Sequence, residues 1–219
     1  IMELNKFIDP PKLNSTATKD DINKLLDDAL KYHFQAVCIN PCYVKLASEY
    51  LKKSSVLIAT VIGFPLGANT ITTKEFEAIE AINNGADEID MVVNIGAIKD
   101  HDYEYVKKEI EYIRDAIDGK TLKVIIETGY LTDEEIIKMT EICNETYVNF
   151  IKTSTGFGPR GASYHDIEII NEHKNEILEI KASGGIKNFD DALKYIDLGV
   201  NRIGTSNALE IINGNKEEN

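Results

Sequence analysis

The feature that most constrains the fold is an alternation of short β-type runs and helical patterns along the whole chain. After Thr18, apolar residues from Ile22 to Leu30 recur at the spacing of an amphipathic helix, and Ala36-Val37-Cys38-Ile39 follows as a short β-type run. Each later connection between β-type runs is long enough to contain a helix. This repetition is typical of α/β proteins with parallel strands.

The alternation predicts at least seven strands in a single domain that spans residues 1–219, with 213–219 a flexible tail. Besides 36–39, the predicted strands are 56–62, 88–94, 123–128, 149–154, 179–183 and 202–206. The predicted helices after the first are 41–51, 73–83, 101–117, 132–143, 164–173, 189–198 and 208–212. A weaker eighth strand, Phe7-Ile8-Asp9, is cut short by Pro10 and Pro11. Eight β/α units in a chain of 219 residues predict a single-domain (β/α)8 TIM barrel, with a doubly wound open sheet as the alternative.

Composition narrows the classes of partner. The 24 basic and 37 acidic side chains give a net charge of −13, which argues against binding to nucleic acid or an anionic membrane. No apolar run reaches the length of about 18 residues typical of a membrane span, and the start of the chain has no signal-peptide core, so a cytoplasmic protein is expected. The three cysteines have no spacing that predicts a metal site or a disulfide.

Three charged residues stand inside predicted strands, where a solvated position is not expected. Asp90, Lys152 and Lys181 fall on the fourth, sixth and seventh strands when Phe7-Ile8-Asp9 is counted as the first. Two ammonium groups that face one cavity repel each other, so one lysine is expected to lose its proton easily and to form a Schiff base with a carbonyl. Asp90 would then act as general acid and base. For each lysine alone, a salt-bridged strand-end position is the simpler interpretation.

Small residues collect in the loops that follow the last two predicted strands, and they indicate a phosphate cradle. Gly184 and Gly185 follow one strand, and Gly204, Ser206 and Asn207 belong to the end of the next. In (β/α)8 barrels these loops commonly hold a phosphate through backbone N–H groups. Lys187 and Arg202 add positive charge, whereas the alternative is that the glycines only make tight turns.

Together these residues resemble the deoxyribose-phosphate aldolase family, which are class I aldolases. The resemblance rests on seven segments in order: Ala36 to Pro41, Ile58 to Gly67, Glu88 to Asn94, Lys123 to Thr128, Phe150 to Phe157, Lys181 to Ile186, and Ile203 to Ser206. The first strand departs from the family pattern, because Pro10-Pro11-Lys12 stands where the family usually has His-Thr-Leu. Its geometry is therefore an open question.

The resemblance implies reversible cleavage of 2-deoxy-D-ribose 5-phosphate to acetaldehyde and D-glyceraldehyde 3-phosphate, without a metal or other cofactor. It implies that Lys152 is the Schiff-base lysine. It implies that Lys181 is the second lysine, which lowers the pKa of the first and joins a proton relay, and that Asp90 is the aspartate of that relay. Asp9 corresponds to an acidic residue that supports the second lysine. The expected substrate-binding residues are Asp9, Thr155, Gly156, Gly184, Gly185, Lys187, Gly204, Ser206 and Asn207. A homodimer is compatible with the resemblance.

Two other functions remain open at this point. A different (β/α)8 sugar-phosphate enzyme, an isomerase or epimerase, would use acid/base chemistry without an imine, and a phosphosugar-binding protein would bind without turnover. The sequence also leaves open whether Cys38 and Glu127 line the pocket. A buried thiol with a packing role is the simpler interpretation of Cys38.

Overall fold

The structure is a computed structural model that describes residues 3–217. The described residues contain nine strands and nine α-helices. The strands are β1 (Ile8–Asp9), β2 (Pro11–Lys12), β3 (Ala36–Ile39), β4 (Leu57–Ile62), β5 (Glu88–Val92), β6 (Thr121–Ile125), β7 (Phe150–Lys152), β8 (Glu179–Ser183) and β9 (Arg202–Gly204). The helices are α1 (Lys19–Tyr32), α2 (Val44–Tyr50), α3 (Ile71–Asn83), α4 (Ile95–Lys99), α5 (Tyr103–Ala116), α6 (Asp133–Glu145), α7 (Tyr164–His173), α8 (Phe189–Asp197) and α9 (Ala208–Glu217).

All nine strands pair in parallel in one sheet that closes on itself. β1 pairs with β9 and β2 pairs with β3, while the other strands pair in chain order. Since only Pro10 separates β1 from β2, these two pieces act as one strand that joins both edges of the sheet. The result is an eight-stranded barrel surrounded by helices, which confirms the predicted TIM barrel and excludes the open sheet.

The first strand does not stop at the prolines, and that expectation was wrong. Pro11 lies in register with Cys38, and the N–H of Cys38 donates a hydrogen bond of 3.1 Å to the carbonyl of Pro10. A proline has no N–H to donate, but its carbonyl still accepts, so the two residues fit where only acceptors are needed.

Helix boundaries follow local capping signals. Thr18, Thr132 and Ser163 each form a capping box that starts α1, α6 and α7. The sequence pattern missed α4, a five-residue helix whose N-cap is Asn94. The predicted tail is also in part helical, because α9 continues to Glu217; residues 218–219 lie outside the described residues.

The main apolar core lies between the outer faces of the strands and the helices. It includes Ile22 and Leu26 of α1, Ile89 of β5 and Ile110 of α5, all without solvent exposure. This core leaves the inward faces of the strands to form the site described below. Among residues 3–217, no helix combines the length and the apolar character that a membrane span requires.

Candidate active site

Seven charged side chains are buried inside the barrel. They are Asp9, Glu88, Asp90, Lys123, Lys152, Lys181 and Arg202. Side chains two residues apart on a strand share a face, so β5 directs both Glu88 and Asp90 to the same side. Direct register then brings Lys123 beside Asp90 and Lys181 beside Lys152. The parallel pairing therefore concentrates charges that lie far apart in the chain.

The Asp90 carboxylate binds three lysines. Its Oδ1 lies 2.6 Å from Nζ of Lys123, and its Oδ2 lies 2.9 Å from Nζ of Lys152 and 3.2 Å from Nζ of Lys181. Burial alone would raise the pKa of Asp90, but the ammonium of Lys123, with those of Lys152 when it is protonated and of Lys181, outweighs burial and holds that pKa well below its usual range. Asp90 is therefore ionised at neutral pH.

Lys181 is held between two carboxylates. Its Nζ lies 2.9 Å from Oδ2 of Asp9, besides its contact with Asp90. Burial alone would lower the pKa of Lys181, but Asp9 and Asp90 raise it above its ordinary value. Burial also acts against ionisation of Asp9, yet Lys181 and Arg202 lower its pKa. Asp9 and Asp90 thus favour the ammonium form of Lys181 beside Lys152.

A cavity of about 710 Å³ opens above this cluster. Lys152 and Lys181 line it, together with every residue expected to bind substrate: Asp9, Thr155, Gly156, Gly184, Gly185, Lys187, Gly204, Ser206 and Asn207. Asp90 lies beneath the lining and reaches the cavity through the two lysines. Asp9 is fully buried, and its oxygens are engaged by Lys181 and Arg202.

The loops after β8 and β9 form one wall of the cavity. Gly184 and Gly185 have φ values of +84° and +80°, a backbone conformation that residues other than glycine rarely adopt. Thr205 ties the two loops together, because its hydroxyl donates to the carbonyl of Ile186 and accepts from the N–H of Asn207. These contacts keep Ser206 and Asn207 close to the two glycines.

Two charged residues of the cluster, Glu88 and Lys123, were missed as site residues in the sequence, and Arg202 was expected in a different place. Glu88 accepts from Lys123 at 3.0 Å and also from Arg202, and Arg202 donates to both oxygens of Asp9 at 2.9 and 3.0 Å. Arg202 was expected near the phosphate loops, but its side chain is buried in these ion pairs. The same signal that identified Asp90, a charge inside a predicted strand, was present for Glu88 and for Lys123.

Cys38 and Glu127 take different positions. Cys38 lines the main cavity with its Sγ 4.0 Å from Oδ2 of Asp90, and burial raises the pKa of its thiol. Glu127 lines a neighbouring groove of about 300 Å³ and accepts hydrogen bonds from the N–H and the hydroxyl of Thr155. Burial raises the pKa of Glu127 as well, although its hydrogen bonds with Thr155 oppose this shift. Glu127 therefore anchors the loop after β7.

Comparison with known proteins identifies the family. The model of the DeoC/LacD family aldolases matches residues 6–204, which cover most of the chain and all seven charged residues. The chain belongs to the DeoC/LacD family of aldolases. The resemblance inferred from the motifs is thereby confirmed.

Relatives within this family cover almost the whole chain. The deoxyribose-phosphate aldolase of Staphylococcus carnosus is 52% identical over 213 residues, which are 97% of this chain and 97% of the relative. That of Thermococcus gammatolerans is 50% identical over 217 residues, 97% of this chain and 96% of the relative. The chain therefore spans these family members nearly from end to end.

Solved structures share the barrel. An aldolase called QR15 superposes with a TM-score of 0.94 at 38% identity and covers 100% of this chain and 98% of its own. The tetrameric deoxyribose phosphate aldolase from Aeropyrum pernix superposes with a TM-score of 0.91 at 28% identity, covering 99% of this chain and 92% of its own.

Proposed function

We propose that this protein is a 2-deoxy-D-ribose 5-phosphate aldolase that works through a Schiff base on Lys152. The observation that carries the proposal is the contact of Lys152 with Asp90 and its position beside the ammonium of Lys181, at the floor of the cavity. Relatives about half identical over nearly the full chain carry this enzyme name. The reaction is a reversible lyase step in the breakdown of deoxyribose phosphate.

The first step is imine formation. Neutral Lys152 attacks C1 of the open-chain sugar, and the carbinolamine, on taking up a proton at its hydroxyl, loses water and leaves a protonated imine. Lys181 keeps its own proton, so its charge opposes a second ammonium at Lys152. The protonated imine then withdraws electrons from the C2–C3 bond.

The second step breaks that bond. Asp90 takes the proton of the C3 hydroxyl through a water, or through Lys181, which passes its own proton to Asp90 as it receives that of the hydroxyl and so stays an ammonium. C3 becomes the aldehyde of D-glyceraldehyde 3-phosphate, and the C2–C3 electron pair forms an enamine on Lys152. Return of a proton to C2 regenerates an imine, now of acetaldehyde. Water hydrolyses this imine and releases acetaldehyde and free Lys152.

The substrate phosphate binds to the wall made by the loops after β8 and β9. Backbone N–H groups near Gly184, Gly185 and Gly204 and the side chains of Ser206 and Asn207 supply hydrogen-bond donors. Lys187 adds a positive charge at the exposed rim, in a protein with a net charge of −13. Thr155 and Gly156 contact the substrate from the loop after β7.

The proposal extends to partners and location. The substrates are a sugar phosphate and aldehydes, without a role for nucleic acid or a membrane, and the enzyme works in the cytoplasm as a homodimer. Sedimentation equilibrium tests the dimer against a monomer and against the tetramer described for the Aeropyrum pernix protein. Because the protonated imine on Lys152 is the electron sink, activity is expected to survive dialysis against EDTA.

Reductive trapping tests the mechanism directly. The protein is incubated with acetaldehyde, treated with borohydride and digested, and the two-carbon adduct is located by mass spectrometry. We expect the adduct at Lys152, its loss together with cleavage activity in Lys152→Arg, and retention of both in Lys24→Arg, a lysine that lines the same cavity. Turnover retained in Lys152→Arg would favour an isomerase or epimerase, and phosphosugar binding without turnover in the unmodified protein would favour a binding protein.

A further inference from the structure

The charged residues inside the barrel form a closed ring in which carboxylates and cations alternate. Lys123 bridges Asp90 and Glu88, and Arg202 bridges Glu88 and Asp9. Lys181 then bridges Asp9 back to Asp90. The ring rests on the aromatic face of Phe150, whose centroid lies 6.0 Å from Nζ of Lys123 and 5.4 Å from the guanidinium carbon of Arg202.

The ring is electrically balanced without Lys152. It holds three carboxylates and three cations, and Lys152 is attached from outside to Oδ2 of Asp90. An ionised Lys152 adds one uncompensated positive charge to a buried cluster, whereas a neutral Lys152 adds none. Buried charges are costly unless they are compensated, so the balance of the ring favours the neutral amine.

We propose that Glu88, Arg202 and Lys123 control the charge of Lys152 by keeping this ring balanced, and that they are positioning residues for the reaction. All three lie outside the lining of the cavity, so they act through Asp90 and Lys181 and not by touching the substrate. This inference rests on the proposed function, because it concerns the lysine that forms the imine.

The other titratable groups around Lys152 leave it as the member that changes charge. Lys181 from β8 is held as an ammonium by Asp9 and Asp90, and Asp90 from β5 is held as a carboxylate. Cys38 from β3 is a buried thiol whose pKa is raised by burial. Glu127, after β6, is engaged by Thr155.

Two single variants change the charge of the ring in opposite directions. Glu88→Gln removes a negative charge and leaves the ring positive, which favours neutral Lys152. Arg202→Gln removes a positive charge and leaves the ring negative, which favours the ammonium. The probe is acetaldehyde with cyanoborohydride, and the adduct on Lys152 is measured by mass spectrometry across a pH series, with the unmodified protein treated in parallel.

We expect the midpoint of the pH profile to move down by about one pH unit in Glu88→Gln and up by about one unit in Arg202→Gln, because a unit charge at about 10 Å and an effective dielectric constant of about 20 has an effect of this size. On the acidic side of the midpoint, each shift corresponds to about a tenfold change in adduct. The balanced double variant, Glu88→Gln with Arg202→Gln, is expected to return the midpoint close to that of the unmodified protein.

A purely structural role for these residues predicts less adduct at every pH with an unmoved midpoint, and that result, or shifts in the same direction, would overturn the inference. If the unmodified protein itself gives no adduct on Lys152, the proposed function fails instead. If the single variants do not fold, NMR of the lysine side-chain nitrogens in the unmodified protein tests the inference by measuring which lysines are charged. Charged Lys123 and Lys181 beside a neutral Lys152 support the ring, and a neutral Lys123 or Lys181 contradicts it.

Discussion

The ammonium group of Lys123 lies 2.6 Å from Oδ1 of Asp90, and the two residues are direct partners across β5 and β6. This contact occupies Oδ1, one of the two carboxylate oxygens of Asp90. The other oxygen is then left to Lys152 and Lys181, which both line the cavity. Lys123 thereby fixes the orientation of the carboxylate that the proposed chemistry requires.

Replacement of Lys123 should lower both the free energy of unfolding and the activity. In Lys123→Met, Glu88 and Asp90 lose a buried cation, and breaking a buried ion pair typically lowers the free energy of unfolding by about 3–5 kcal/mol. Urea unfolding measures this loss. The matched control is Lys107→Met, which breaks the exposed Lys107–Glu145 pair and should lower the free energy of unfolding far less. Equal losses in the two variants would contradict the structural role of Lys123.

The contribution of Asp90 to stability should persist in mild acid. Its folded pKa lies well below its usual range because three lysines outweigh the effect of burial. A carboxylate with a lowered pKa stabilises the folded state fully above its unfolded value of about 3.9, and this contribution is lost as the pH falls through the lower folded value. The difference in unfolding free energy between the unmodified protein and Asp90→Asn should therefore be constant down to about pH 5 and shrink only below about pH 4. A difference that vanishes near neutral pH would contradict this.

A methyl group at Gly204 should disturb Lys181. An added Cβ would lie 3.1 Å from Cβ of Ser183 and 3.3 Å from Cε of Lys181, both closer than ordinary contact. We expect Gly204→Ala to lower stability by about 1–3 kcal/mol and to lower kcat more than Gly96→Ala, which adds the same methyl group on α4, outside the main cavity. Thermal unfolding and steady-state kinetics measure the two effects. A kcat that does not change in Gly204→Ala would argue against a sensitive position for Lys181.

Replacement of Lys187 should change the kinetics of phosphorylated substrates only. If its ammonium attracts the phosphate, Lys187→Gln raises KM for 2-deoxyribose 5-phosphate by about tenfold, or about 1.4 kcal/mol, and leaves kinetics with unphosphorylated 2-deoxyribose unchanged. Lys24→Gln, at another part of the same cavity, is the control. An equal effect on both substrates would place the role of Lys187 elsewhere.

The order of strands and helices could be predicted because hydrophobic periodicity is local. Ala36–Ile39, Glu179–Ser183 and Tyr164–His173 begin and end where the pattern predicts. The predicted end of the first strand was wrong because the strand-breaking signal of Pro10 and Pro11 is also local. Pairing with β3, a long-range contact, continues that strand, and the carbonyl of Pro10 still serves as an acceptor for it.

The sequence by itself determined the barrel, the family resemblance and a cluster of charges formed by Asp90, Lys152 and Lys181. Each of these three residues lies in a short motif that can be identified along the chain. Only the tertiary structure decided that Lys123, Glu88 and Arg202 complete the cluster and that Arg202 points away from the phosphate loops. The physical reason is register: Asp9 and Arg202 are 193 residues apart, and only closure of the sheet brings a charge on one strand against its counter-charge on another.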